Sequence, residues 1–257
     1  MEGGFDRPHE PATCYSPTIA LGRHDGPGDA EGLWRDYEQA IDLVPSLGLD
    51  GVRLGIEWAR VAPRRGVVDD DALVRYAAVA EHARSLGLDV TIVLFGDVWP
   101  SWTGLEAWLL PWVVPYALEY ATRVVGRLDD AATGVIAFSD PHGMVSRGFL
   151  DEAAPPWRRG AHADAASARR QIAHVTQLLS DDVVIGPRLV ARARTIDLGH
   201  TVAEIAAQRH DAATCDELYV HSLVKGRGPT SATVGLLERR AGVWSSAASP
   251  ELLDALR

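Results

Sequence analysis

The sequence predicts an α/β fold made of about five to six βα units. Two observations lead to this prediction. Short runs rich in aliphatic and β-branched residues alternate along the chain with longer segments whose apolar residues recur at helical spacing. Loops rich in glycine, aspartate and proline separate many of these segments. Strands that alternate with helices favour parallel pairing through crossover connections.

The strand-like runs fall at five places in the chain. We predict strands over residues 18–21, 51–58, 89–95, 134–138 and about 182–196. In the C-terminal tail, the two short β-rich segments in residues 236–244 flank a turn and favour a hairpin.

The helix predictions rest on periodicity and on end signals. We predict helices over residues 31–48, 69–86, 108–128, 164–179 and 202–224, and a short helix over residues 250–256. Gly48 is a plausible C-cap, and Asp69 begins an acidic helix N-terminus. Pro111 and Pro115 lack backbone donors, so the third helix is expected to begin near Val114.

Composition and charge restrict the class of protein. The chain has 257 residues, 47% hydrophobic content and a formal net charge of -10. That charge argues against nucleic acid or an anionic membrane as partner and favours a small molecule or a protein. The two cysteines, Cys14 and Cys215, are too few for a disulfide framework and are expected to be reduced thiols.

These features predict a cytoplasmic protein with no secretory signal and no membrane helix. We expect a single domain over residues 1–257, with a leader at residues 1–16 and a divergent tail at residues 230–257. The leader is expected to be loose or to become ordered on docking.

Five short motifs carry a resemblance to a known family. They are WRDY at residues 34–37, LG at 47–48, VRLGIEWARVAP at 52–63, PSW at 100–102 and FSDP at 138–141. In residue identity and spacing they resemble the glycoside hydrolases of family 1, the β-glucosidase family. The resemblance covers residues 18–229 and is strongest over residues 33–63.

The resemblance implies a TIM-barrel-like (β/α) fold that is incomplete. Five units reach about residue 229, and the remaining residues are too few for three more units of roughly 30 residues each. The family's Thr-Glu-Asn-Gly motif, which carries the catalytic nucleophile, does not occur in the sequence. A partial sheet leaves two open edges, which we expect to be covered by a second copy or partner subunit, or else by the leader and the tail.

Reactive groups in barrel enzymes lie at the carboxyl ends of the strands. There the resemblance places Asp140 at the family's acid/base glutamate and Ser139 at its sugar-contacting asparagine. Asp97 stands within the family's sugar-contacting His-aromatic pair, and Arg53 matches the arginine that steadies the nucleophile. Because retaining hydrolysis needs two carboxyl groups about 5 to 5.5 Å apart, ordinary β-glucosidase activity is not expected.

We therefore name three candidate catalytic residues and six candidate substrate-binding residues. The catalytic candidates are Asp140, Asp97 and Glu57. The substrate-binding candidates are Arg53, Ser139, His142, His24, Trp99 and Trp102. No metal site and no cofactor are expected, since no His, Cys and carboxylate cluster has a typical ligand spacing.

Each candidate also has a structural interpretation. Asp97 and Asp140 either form an acid/base dyad or bind a loop and local backbone N–H groups. Glu57 either acts chemically or locks a loop through an arginine. The two histidines either relay protons or are solvated. Three arginines at positions 188, 192 and 194 either hold an anion or place charge on a strand edge.

Three functions remain open from the sequence. The first is a repurposed enzyme that acts on a sugar or sugar-like small molecule. The second is a non-catalytic pseudoenzyme that binds a ligand or a protein partner. The third is a true β-glycosidase whose nucleophile comes from another chain.

Overall fold

The structure is a computed structural model that describes Gly4 and residues 10–32, 34–194, 217–223, 233–240 and 243–246. The chain divides into two compact units, Met1–Leu189 and Val190–Arg257. The expectation of one domain over the whole chain stays a prediction.

The first unit is built on three parallel strands. They are β1 (Gly51–Gly55), β2 (Asp89–Phe95) and β3 (Gly134–Phe138). Gly51 pairs with Asp89, and Thr91 pairs with Gly134, so β2 lies between the other two strands. The parallel pairing is confirmed, and β2 and β3 have the predicted bounds.

Seven α-helices connect and cover these strands. They are α1 (Ser16–Ala20), α2 (Tyr37–Ser46), α3 (Trp58–Val61), α4 (Asp70–Ser85), α5 (Val114–Arg127), α6 (Pro141–Val145) and α7 (His162–Asp181). A π-helical turn, Ser146–Leu150, continues α6. Short 3₁₀ turns occupy Ala30–Gly32, Ser101–Thr103, Ala107–Leu109, Pro111–Val113 and Gly186–Arg188.

The ends of the long helices follow the predicted signals. The Asp69 side chain caps α4 by accepting a hydrogen bond from the backbone N–H of Ala72 at 3.0 Å. Helix α5 begins at Val114 with Pro115 in its first turn, where the missing N–H costs nothing. Gly48, just beyond α2, has a φ of +73°, which a residue with a Cβ adopts rarely.

Three element predictions are wrong, and the strand predicted over residues 51–58 ends at Gly55. Residues 18–21 belong to α1 and the turn after it rather than to a strand, because Pro17 starts a helical turn and the Thr18 hydroxyl donates to the Tyr15 carbonyl at 2.8 Å. Residues 182–188 form a turn, so the strand there is only Leu189–Arg194. Residues 217–223 form a strand where a helix was expected.

Aromatic side chains fill the core beneath the carboxyl ends of β1 and β2. Trp58 lies at the centre, with ring centroids 5.5 Å from Phe95 and 5.6 Å from Tyr120. The hydroxyl of Tyr120 lies 2.7 Å from the carbonyl oxygen of Ile56 and 2.9 Å from that of Leu94. Tyr120 therefore joins the segments that follow and end the two strands.

The second unit contains antiparallel pairs. Strand β4 (Leu189–Arg194), which begins at the last residue of the first unit, pairs with β5 (Glu217–Leu223), β5 with β6 (Thr233–Arg240), and β6 with β7 (Val243–Ser246). The predicted hairpin is confirmed by the pairing of Arg240 with Val243. The helix predicted over residues 250–256 lies outside the described residues.

Candidate functional site

A cleft of about 320 Å³ opens at the carboxyl ends of β1 and β2. Apart from Gly4, its lining comes from four segments, within residues 13–19, 25–27, 55–57 and 93–98. Parallel strands bring their carboxyl ends to one edge of a sheet, which is where barrel enzymes carry their reactive groups. The cleft is therefore in the position where the sequence placed the candidate site.

Residues that were predicted to form a leader build one wall of this cleft. The backbone N–H of Cys14 donates to the carbonyl of Trp99 at 2.9 Å, and that of Ser101 donates to the carbonyl of Ala12 at 3.0 Å. Thr13 and Tyr15 are among the lining residues. The described part of the leader is therefore docked against the segment that follows β2.

Asp97 and Asp140, from the ends of neighbouring strands, bind the same guanidinium group. Nη2 of Arg147 lies 2.8 Å from Oδ1 and 2.7 Å from Oδ2 of Asp97. Nη1 of Arg147 lies 3.2 Å from Oδ2 of Asp140. Burial lowers the pKa of Arg147, but its hydrogen bonds to Asp97 and then to Asp140 outweigh burial and raise the pKa overall.

Sequence reasoning missed Arg147. The residue lies in the π-helical turn, seven positions after Asp140. That spacing is about two helical turns, which returns a side chain to the same face of a helix. The signal was present in the sequence, but only if α6 and the turn after it were recognised as one continuous helical segment.

Asp140 also has a local structural role. Its Oδ1 accepts a hydrogen bond from the backbone N–H of Gly143 at 2.9 Å and so caps α6. A Cβ at position 143 would collide with the Asp140 carboxylate and lie 2.6 Å from Nη1 of Arg147. Both oxygens of Asp140 thus act as acceptors, and the local backbone contact foreseen as an alternative is present.

Arg53 reaches across β2 to the residue that follows β3. Its Nη2 donates to Oγ of Ser139 at 2.7 Å. The backbone N–H of Ser139 donates in turn to the carbonyl of Phe95 at 2.8 Å. Two predicted substrate-binding side chains are therefore brought together on the exposed face of the sheet.

Glu57 lines the cleft and precedes α3. Its Oε2 lies 3.4 Å from Nη2 of Arg60, a side chain that is 4% exposed and lies over the ring of Trp34 at 4.0 Å. The backbone N–H of Glu57 donates to the hydroxyl of Tyr76 at 3.1 Å. Burial, followed by the Glu57 charge, raises the pKa of Tyr76. Glu57 combines the two interpretations, since it lines the cleft and also forms an arginine pair.

The side chains of the two tryptophans that were predicted to contact a ligand point into the protein. Trp99 is 2% exposed, and its Nε1 donates to the carbonyl of Gly104 at 2.8 Å. Nε1 of Trp102 donates to the carbonyl of Ala62 at 2.8 Å, and its ring packs against Trp58. Neither residue is among those that line the described cleft, and their contact with a ligand stays a prediction.

The two predicted histidines have different environments. His142 lies in the first turn of α6 and is 7% exposed, so it is not the solvated loop residue foreseen as an alternative. His24 is exposed and stacks on Trp157, with ring centroids 4.5 Å apart and an angle of 12° between planes. The rings of Trp157 and Tyr15 form a T-shaped pair, with centroids 5.7 Å apart. His24 is therefore positioned beside the cleft by an aromatic contact.

Tyr15 was missed because it lies in the leader, which was expected to be loose or to become ordered on docking. Its ring lines the cleft, and burial raises the pKa of its hydroxyl to about 12. Tyr15 therefore adds a half-buried aromatic residue to the wall of the cleft.

The predicted arginine cluster is described only in part. Arg188 forms an ion pair with Asp129 and donates to the carbonyl of Val184 at 2.8 Å. The side chains of Arg192 and Arg194 lie outside the described part of the structure.

Among the described residues no group of three or more His, Cys, Asp or Glu side chains has the arrangement of a metal site. No helix within those residues has both the length and the apolar composition needed to cross a bilayer.

Comparison with known proteins decides the family. Residues 23–254 match the sequence profile of glycosyl hydrolase family 1. The chain belongs to this family. The resemblance carried by residues 34–63 and 138–141 is therefore confirmed.

Two curated relatives illustrate the range of this family 1 similarity. The chain is 24% identical over 243 residues to the Beta-glucosidase of Agrobacterium sp., an alignment that covers 89% of this chain and 51% of that protein. It is 28% identical over 146 residues to the chloroplastic Beta-glucosidase-like SFR2 of Oryza sativa, covering 53% of this chain and 22% of that protein. The chain thus spans about half or less of these two relatives.

A solved structure supports the fold. The beta-glycosidase from Pyrococcus horikoshii superposes with a TM-score of 0.65 and 20% identity, covering 74% of this chain and 44% of that one. The prediction of a TIM-barrel-like α/β fold is confirmed, and the partial coverage fits an incomplete barrel.

Proposed function

We propose that this family 1 chain binds a sugar or sugar-like small molecule in the cleft at the ends of β1 and β2. In this proposal Asp140 does not act as the acid/base group of a retaining glycosidase. The observation that carries the proposal is the Arg147 bridge between Asp97 and Asp140. The bridge occupies the position that the family uses for acid/base chemistry.

The hydrogen bonds of Asp140 argue against an acid/base role. A general acid must carry a proton that it can donate to the leaving group. Both oxygens of Asp140 instead accept hydrogen bonds, from Gly143 and from Arg147. The guanidinium has only donors to offer, so Asp140 serves as an acceptor in this contact.

The cleft itself supports binding of a small polar molecule. Its volume of about 320 Å³ is at the lower end of the range of ligand sites. The apolar residues Ile19, Ile56 and Val93 contribute to its walls, together with Thr13 and Tyr15. Apolar walls with a few hydroxyl and carboxylate groups suit a ring that carries several hydroxyls.

The test combines binding and turnover on the purified chain. We expect isothermal titration to show binding of methyl β-D-glucoside or methyl β-D-galactoside, weakened about tenfold by Glu57→Gln. The matched control is Glu81→Gln, an exposed acid on α4 outside the cleft, which leaves binding unchanged. No 4-nitrophenol is expected from the corresponding aryl glycosides. Release of 4-nitrophenol by the wild-type chain that Asp140→Asn abolishes would overturn the proposal.

A second candidate function is altered chemistry at Glu57 and Asp97. The favouring observation is that both carboxylates line the same cleft. In this scheme Asp97, whose two oxygens accept from Arg147, is the base and Glu57 is the acid. Under this hypothesis Glu57→Gln and Asp97→Asn each abolish conversion of a sugar substrate, followed by NMR, while Asp140→Asn retains it. Light scattering on the same samples reports whether an active species contains a second chain.

A further inference from the structure

One wall of the cleft is an exposed segment, residues 23–27, which we call the flap. Asp25, Gly26 and Pro27 of the flap line the cleft, and all five of its residues are exposed. The backbone N–H groups of His24, Asp25 and Gly26 donate to no backbone carbonyl among the described residues. Segments with few buried contacts and few backbone hydrogen bonds open at low cost in free energy. The flap is therefore a wall that can move.

The two ends of the flap are fixed and are flanked by glycines. The backbone N–H of Arg23 donates to the carbonyl of Thr18 at 2.9 Å. At the other end Gly4 lies against Gly28, since a Cβ at position 4 would be only 2.5 Å from the Gly28 carbonyl oxygen. Gly22 and Gly28 have φ of +65° and +59°, and a Cβ at either position would meet no atom within 4 Å. These two glycines are positioned to serve as hinges.

An aromatic contact joins the flap to a distant part of the chain. The ring of His24 stacks on Trp157, with centroids 4.5 Å apart and an angle of 12° between planes. Trp157 is itself held in place, because its backbone N–H donates to the carbonyl of Ala154 at 2.7 Å and its ring packs against Tyr15. Its φ of +61° is rare for a residue with a side chain. Such backbone conformations cluster at ligand clamps and switch regions.

We propose that the stack of His24 on Trp157 is a latch that holds the flap against the cleft, and that ligand enters and leaves when this latch opens. The inference rests on the proposed function for its ligand, whereas motion of the flap is measurable without one. His24 and Trp157 are positioning residues, since neither is among the described residues that line the cleft. An aromatic contact shifts an equilibrium about two- to tenfold, and loss of the latch is expected to raise the open fraction by a similar factor.

Limited digestion of the full chain with trypsin measures the flap without a ligand. Cleavage after Arg23 requires the flap to open, and Trp157→Leu breaks the latch without changing the residues at that cleavage site. We expect mass spectrometry to show cleavage after Arg23 about three- to tenfold faster in this variant than in the wild type. Cleavage after Arg64, in an exposed turn outside the flap, is the internal control and keeps its rate.

Stopped-flow kinetics measures the effect of the latch on ligand exchange. The probe is 4-nitrophenyl β-D-glucoside, followed by quenching of tryptophan fluorescence. His24→Ala removes one ring of the latch and is expected to raise both the association and the dissociation rate about three- to tenfold. His24→Phe keeps a ring and is expected to retain the wild-type rates. The matched control is His162→Ala, which changes an exposed histidine at the start of α7 and leaves both rates unchanged.

The association rate distinguishes a latch from a fixed wall. A fixed wall contributes contacts to the bound ligand, so its loss raises the dissociation rate alone. A rise in the association rate of His24→Ala, with wild-type rates in His24→Phe, supports the latch. An unchanged association rate overturns it, and so do equal rates in the two variants, because the ring then has no role.

The digestion separates the latch from the proposed function. Unchanged cleavage after Arg23 in Trp157→Leu overturns the latch, even when the glucoside binds and the proposed function stands. Faster cleavage after Arg23 without binding of the glucoside to any of these chains supports the latch and counts against the proposed function.

Discussion

Nη2 of Arg147 lies 2.8 Å and 2.7 Å from the two carboxylate oxygens of Asp97, so a single nitrogen contacts both oxygens. Arg147 belongs to the π-helical turn after α6, and Asp97 follows β2. The pair ties the loop after one strand to the helical segment after the next. Through Nη1 the same guanidinium also holds Asp140, which makes Arg147 the common partner of the two acids predicted from the sequence.

Arg147→Met is expected to lower the free energy of unfolding by about 1–2 kcal/mol. The variant leaves Asp97 and Asp140 without their shared cation, and solvent screening of these half-exposed groups keeps the cost moderate. The control is Arg84→Met, which removes the more exposed pair with Asp89 and is expected to cost about 0.5 kcal/mol or less. Urea denaturation measures both. Equal costs for the two variants would show that the bridge contributes no more than a surface pair.

Tyr120→Phe is expected to destabilise the first unit by about 1–2 kcal/mol. The buried hydroxyl lies within hydrogen-bonding distance of the carbonyls of Ile56 and Leu94, which have no access to water in its place. Tyr116→Phe is the control, because the Tyr116 hydroxyl accepts from Arg65 at an exposed site and its loss is expected to cost about 0.5 kcal/mol at most. Chemical denaturation followed by circular dichroism compares them, and a neutral effect of Tyr120→Phe would contradict the structural role.

Asp69→Ala removes the cap of α4 and is expected to cost about 1 kcal/mol of unfolding free energy. The neighbouring change Asp70→Ala keeps the cap and removes only a charge near the positive end of the helix, which is worth about 0.3–0.5 kcal/mol. The difference between their thermal unfolding midpoints measures the cap. If Asp70→Ala is the more costly variant, the assignment of Asp69 as the cap is wrong.

Stability at high pH is expected to depend on Cys14. Burial raises the pKa of its thiol from 9.0 to about 12. The stabilisation from keeping the folded thiol neutral is complete below pH 9, where the unfolded thiol is also protonated, and is lost as pH rises from 9 towards 12. Between pH 8 and pH 10 the wild-type chain should therefore lose about 1 kcal/mol more unfolding free energy than Cys14→Ala.

Urea denaturation at the two pH values measures this difference. A companion test uses the Cys215→Ala background, in which Cys14 is the remaining thiol. There the native protein is expected to react slowly with a thiol reagent at pH 8, and the urea-unfolded protein rapidly. Rapid reaction of the native protein would show that Cys14 is accessible and not buried.

Local sequence patterns predicted the regular elements of the first unit. Strands β2 and β3 have the predicted bounds because continuous aliphatic runs between turn residues are typical of buried parallel strands. Residues 18–21 and 217–223 were assigned to the wrong class. Short apolar segments fit a strand or a helix equally well, and interactions between residues distant in sequence decide between them.

The candidate site was predicted less completely than the fold. The positions of Asp97, Asp140 and Glu57 followed from the rule that reactive groups lie at strand ends. Their partners did not follow, because Arg147 and Arg60 reach these acids through helical geometry and side-chain conformation. For the same reason Trp99 and Trp102, which are near the strand ends in sequence, pack into the protein.

The sequence by itself determined the family, the parallel βα arrangement and the place of the cleft. These depend on the residues in the motifs, on the periodicity of apolar residues and on the order of strands and helices along the chain. Only the tertiary structure decided which groups the acidic side chains contact there. It placed one guanidinium between Asp97 and Asp140, and brought Tyr15 and Asp25 from the N-terminal segment to the same cleft as Glu57. The physical reason is that ion pairs and cavity walls form between residues far apart in the chain, so no local pattern records them.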